Sequence, residues 1–152
     1  MDYYPFWLPV AIIEGDLPWD KSVNMEFDKF MEKYTLHDSY YVGLFYDLAY
    51  DNNIVIAIQW DSVWLPESVS KSTASVNDWP YLFISIKNVE NINTWGYKNI
   101  DINRAIGGSE YAVTNGKKIL AISDVYGGEL QIVFTGDTEF LALNNKKEPL
   151  NI

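Results

Sequence analysis

The first place to look for chemistry in this sequence is its one histidine, because His37 is followed directly by Asp38 and Ser39, the three residue types of a hydrolase triad. Adjacency works against that reading. Triad members converge from separated segments, whereas neighbours in an extended chain point to opposite faces, and no Gly-x-Ser-x-Gly elbow is present. The same residues read as a turn in which Asp38 or Ser39 ties the chain at a junction between helix and sheet. A metal centre is equally poorly supplied. One histidine and no cysteine leave carboxylates alone, and the nearest spacing, Asp47-x-x-x-Asp51, reads as polar residues at a hairpin tip rather than a calcium loop. Gly107-Gly108 and Gly127-Gly128 lack the Lys-Ser/Thr that would complete a phosphate loop. Carboxylate pairs for glycoside hydrolysis have their raw material in 21 Asp and Glu and 6 Trp, yet no spacing selects a pair. No catalytic residue, metal or cofactor is assigned on these grounds.

Binding is better supplied than catalysis. Trp60, Trp64, Trp79 and Trp95 lie in or beside the central loops, where rings stack on ligands or anchor protein partners; Trp60 and Trp79 also flank strands and would there complete the core. The net charge is −10, from 11 basic and 21 acidic residues, with Arg104 the sole arginine. Nucleic acid and other polyanions would be repelled, whereas a basic partner would be steered in by the long-range field. The absence of cysteine excludes disulfides, thiolate metal sites and thiol nucleophiles. No apolar run approaches the roughly 20 residues that span a bilayer, and Met1 to Pro9 carries no basic leader segment, so the expectation is a cytoplasmic protein without a membrane segment.

The elements that must position these residues are mostly strands. At 152 residues and 48% apolar content, one domain over residues 1–152 with one core is expected. Tyr3 to Ile13 is aromatic and β-branched and contains Pro5 and Pro9, which predicts an edge strand or extended arm. Phe27, Phe30, Met31 and Tyr34 recur at helical spacing, predicting one amphipathic helix over about Asn24 to Tyr34, capped by Ser22 or Asn24. From Ser39 the period becomes two. Tyr40 to Leu48 and Ile54 to Trp60 flank Asp51-Asn52-Asn53 as a hairpin, and Asp61 to Asp78 forms a long loop. A strand over Tyr81 to Ile86 follows, then a weakly patterned region with a helical turn near Asp101 to Ala105. Four strands separated by Asn115-Gly116, Gly127-Gly128 and Gly136-Asp137 then predict a β-meander. The sum is an α+β fold of seven or eight strands, a curved antiparallel sheet that packs on the helix or partly closes into a barrel.

The segment from Leu36 through His37-Asp38-Ser39 to Asp47, followed by Asn53 to Asp61, resembles small immunity-protein families of bacterial polymorphic toxin systems. The resemblance implies a non-enzymatic cytoplasmic inhibitor that binds a cognate toxin domain. Charge and loop position then nominate Asp47, Asp51, Asp61, Glu67 and Asp78, with Trp64 or Trp79 as an aromatic anchor, as the contact to a basic partner. A β-domain holding a small apolar or sugar-like ligand in an aromatic-lined pocket is the competing expectation, and an enzyme with convergent carboxylates the third. Unpaired edge strands leave monomer and homodimer both open.

Overall fold

Alternation of apolar and polar residues sets the strands, and continuous apolar runs set which of them are covered on both faces. The computed structural model describes residues 4–47, 52–72, 75–96 and 104–152. In chain order these form α1 (Trp7–Glu14), β1 (Val23–Asn24), α2 (Phe27–Lys33), β2 (Tyr40–Asp47), β3 (Asn53–Gln59), β4 (Tyr81–Ile86), β5 (Val89–Trp95), β6 (Ile106–Thr114), β7 (Lys117–Asp124), β8 (Glu129–Phe134) and β9 (Thr138–Leu143). Short 3-10 turns cover Trp19–Lys21, Ser62–Trp64 and Val76–Asp78. Every ladder is antiparallel. The larger sheet has the order β1-β9-β4-β3-β2 and the smaller one β5-β8-β7-β6.

The fold is thus α+β, with nine strands in two sheets and two helices among the described residues rather than one sheet and one helix. The sheets do not close into a barrel. They share a core and come together both at a corner, where Tyr40 bridges Ala105, and at the two crossings of the chain between them, where Gly136 N donates to Lys87 O. The expected four-strand meander holds for β6, β7 and β8, but β9 leaves them and inserts between β1 and β4. Its composition explains the move. Phe140, Leu141, Ala142 and Leu143 are all buried, as are all six residues of β4, and such two-sided burial is available only in a covered central strand.

Two further differences arise at the N-terminal end. The segment expected as an edge strand contains helix α1, because Pro9 falls in the first turn, where no intrahelical N–H is required, and Gly15 stops the helix in the left-handed region at φ 70°. Leu8 packs in one cluster with Tyr81, Phe83 and Leu141 of the larger sheet, joined by Trp7 and Ile12, and Ala11 is buried as well. Helix α2 begins at Phe27, later than its periodicity suggested, since Val23–Asn24 is drawn into pairing with β9. Neither Ser22 nor Asn24 caps it; Glu26 precedes the helix without a side-chain cap bond, and Ser22 donates instead to Glu139 Oε2 at 3.0 Å. The helical turn expected near Asp101 falls largely outside the described residues. No described helix is long and apolar enough to cross a membrane.

Between the sheets the space is filled by rings. Phe30 of α2 stacks on Phe140 at 4.1 Å and 3°, with the rings of Phe27 and Trp60 within 6 Å of Phe30. Charged clamps hold α2 and β9 in place. Glu26 accepts from the Tyr111 hydroxyl at 2.6 Å and from Lys118 Nζ at 2.8 Å, and Lys87 Nζ reaches Glu139 Oε1 at 2.7 Å. The hydrogen bond from Lys118, then that from Tyr111, holds the Glu26 carboxyl below its ordinary 4.5, and Lys87 does the same for Glu139. Both folded values are depressed, so their stabilisation is fully present above the unfolded value and disappears as pH falls through the folded values. Thermal unfolding should therefore show a melting temperature that drops below pH 4.5 by less in a Glu26→Gln/Glu139→Gln variant than in the parent; parallel pH profiles would show that the clamps contribute nothing.

Candidate functional site

The corner at which the sheets meet is built from the His37-Asp38-Ser39 turn. Asp38 takes a left-handed conformation at φ 64°, which short polar residues tolerate, and this reverses the chain out of α2 into β2. The turn is tied down on every side. Asp38 N donates to Ile106 O at 2.9 Å, Ile106 N to Ser39 O at 2.8 Å, and the fully buried Ser39 hydroxyl accepts from Asp61 N at 2.9 Å. Gly107 O accepts from His37 Nδ1 at 2.8 Å, so that nitrogen carries the proton, while Nε2 stands 3.4 Å from Asp38 Oδ2.

The long loop starts against this turn. The Asp61 carboxylate caps the 3-10 turn by accepting from Val63 N at 2.9 Å and also receives a hydrogen bond from Trp64. The Trp64 indole is nonetheless 47% exposed, with its ring 5.7 Å from that of His37. Asp61 itself is buried. Burial raises its carboxyl above the ordinary range and the Asp38 charge pushes the same way, while the Val63 amide, His37 and Trp64 pull it back. The triplet that looked like catalytic material is a frame: Ser39 binds the loop, Asp38 makes the turn, and His37 fastens it to β6. Replacing Ser39 with alanine leaves the Asp61 amide buried without its acceptor, an expected loss of about 1–3 kcal/mol. Urea denaturation reads this directly, and an unshifted midpoint would remove the hydroxyl from the frame.

Among the nominated contact residues the fold joins some and separates others. Asp61 and Trp64 meet at the corner with His37 and Asp38, and Glu67 is exposed a few residues further along the loop. Asp78 is exposed at the other end of the loop, 3.4 Å from Asn145 Nδ2. Trp79 is 7% exposed and stacks on Tyr40 at 5.9 Å, so its ring belongs to the packing, as does that of Trp60. Asp47 ends β2 opposite Asn53, roughly 23 Å along the strand from the corner. Asp51 lies outside the described residues. The corner also contains Arg104, which spacing did not single out: its guanidinium lies 5.0 Å over Tyr40 and donates to Tyr4 Oη at 2.8 Å.

No described group of three or more His, Asp and Glu side chains is arranged to hold a metal. What the corner offers is an exposed indole beside carboxylates on a fixed backbone. The chain matches no protein-family model, no curated protein and no solved structure.

Proposed function

We propose that the chain is a non-enzymatic binding protein, an immunity-type inhibitor that seats a basic toxin domain on the acidic corner. The carrying observation is Trp64, an exposed ring on a turn already fixed by Asp61 and Ser39, with His37 5.7 Å from it and the exposed acids Asp38 and Glu67 on the same turn and loop. An anchor fixed before binding loses little freedom on association, and indoles are over-represented among residues that dominate interfaces. The net charge of −10 adds attraction for a cationic partner. Such an inhibitor would act in the cytoplasm. A small-ligand domain is less well supported, because Phe30, Phe140 and Trp60 occupy the space between the sheets that a ligand would need.

The decisive experiment is affinity retention from lysate of the source organism at low and then high salt. Recovery of one basic, stoichiometric protein whose toxicity this chain suppresses on co-expression is the expected result; an acidic partner, or no rescue, would overturn the reading. With the partner in hand, Trp64→Ala should accelerate dissociation at least about tenfold. Asp38→Lys with Glu67→Lys should instead slow association and flatten its salt dependence.

A further inference from the structure

Helix α1 is apolar on both sides, and Glu14 is its single charged residue. Leu8, which packs on the larger sheet, and Ala11 are buried, at 1% and 2% exposure. The opposite side carries Phe6, just before the helix, with Val10 and Ile13, at 96%, 51% and 78% exposure. Spacings of four and three place these three on one stripe. A helix that is apolar all round is normally enclosed, and nothing among the described residues covers this side.

We propose that the stripe is a two-fold contact between two copies of this chain. The two α1 helices run antiparallel, with Val10 against Val10 at the axis and Phe6 of each copy against Ile13 of the other. The stripe suits this arrangement because its two ends are both large and apolar and can exchange places under two-fold symmetry. Charge complementarity points the same way. Glu14 sits at the C-terminal end of its own helix, where the dipole opposes it, and the first turn of α1 contains no acid. Antiparallel pairing moves each Glu14 toward the N-terminal end of the other helix, whose dipole favours a negative charge. Phe6, Val10 and Ile13 offer about 400 Å² per copy, roughly 800 Å² in all, below the area of standard specific interfaces and within the range of weak, transient ones. The dimer is accordingly weak and concentration-dependent. A lipid surface is a poorer occupant, since Glu14, Asp16 and Asp20 follow the stripe where membrane-binding helices place lysine and arginine. The contact is separate from the Trp64 corner and does not rest on the inhibitor reading.

The lack of cysteine makes the test clean. Val10→Cys replaces an exposed side chain at the predicted axis, and Thr114→Cys, exposed at the end of β6, serves as control. On mild oxidation of the full chains, V10C should become disulfide-linked at least about tenfold faster than T114C. Sedimentation equilibrium of the cysteine-free chain should show its mass rising toward that of two copies between about 5 and 500 µM, with Ile13→Asp holding it at one copy over the same range. A single-copy mass throughout, with V10C no faster than T114C, would overturn the proposal. So would a monomer that binds phosphatidylcholine vesicles through Ile13, which would give the stripe to a membrane. Should I13D fail to fold, the cross-linking comparison still decides.

Discussion

Replacing Phe30 with alanine should remove about 3–5 kcal/mol of folding stability, a large share of what a domain of this size possesses. Phe30 is fully buried and its ring lies within 6 Å of four others, Phe27, Tyr34, Trp60 and Phe140. Truncation forfeits the burial, the stacking on Phe140 and the fit of α2 against β9, leaving a cavity that flanking strands of two sheets cannot easily fill. Phe30→Leu keeps most of the volume and should lose clearly less. Urea denaturation followed by tryptophan fluorescence separates the two, because Trp60 sits on the stack. Equal midpoints for alanine and leucine would show that α2 is not the wedge between the sheets.

Gly136→Ala should be nearly as damaging, for a different reason. The two places where the chain passes between sheets, β4 to β5 and β8 to β9, lie backbone to backbone. Gly136 N donates to Lys87 O at 3.0 Å, Lys87 N to Asp137 O at 3.1 Å and Thr135 N to Asn88 O at 3.1 Å. A Cβ on Gly136 would stand 2.5 Å from Lys87 O and 2.7 Å from Lys87 C, closer than atoms approach, and neither is the end of a flexible side chain. The crossings must separate, weakening these bonds and the one from Lys118 Nζ to Gly136 O, for an expected loss of about 2–4 kcal/mol. Gly108→Ala is the control, since a Cβ there meets nothing within 4 Å and should leave stability within about 0.5 kcal/mol. If both variants melt alike, the crossings have room that their geometry denies.

The contrast between these glycines shows where sequence reasoning stops. Asn115-Gly116 was legible as a turn because both residues need positive φ, and they adopt 52° and 78°. Gly136 also marks a turn, but what demands glycine is a backbone from elsewhere in the chain, which no local pattern announces. Three strands of the smaller sheet, β6, β7 and β8, were readable from the turns between them, whereas β5 (Val89–Trp95) fell in the region without a clear pattern. The assignment of β9 to the larger sheet was latent in its unbroken apolar run, a signal that the following-hairpin expectation overrode. Helix α1 was hidden by β-branched residues whose strand preference yields to a capping glycine and a sheet face to lie on. At the corner, the proximity of Asp61 to Trp64 follows from neighbouring positions, but their junction with His37 and Ser39 depends on strand pairing. Burial of Trp79 was the expected alternative at that position, and the separation of Asp47 from the loop could be seen only once β2 was laid out straight.

The insertion of β9 between β1 and β4 has a consequence for biosynthesis. A nascent chain can finish the smaller sheet's strands as soon as Phe134 has emerged, yet the larger sheet still lacks an inner strand. Until residues 138–143 leave the ribosome, β4 stands as an open edge whose six residues are destined for burial on both faces, the kind of surface on which unfinished chains associate. Termination before Thr138 should thus yield a sticky fragment rather than a smaller soluble protein. The last strand completes folding and also closes the period in which the chain is most exposed to its neighbours.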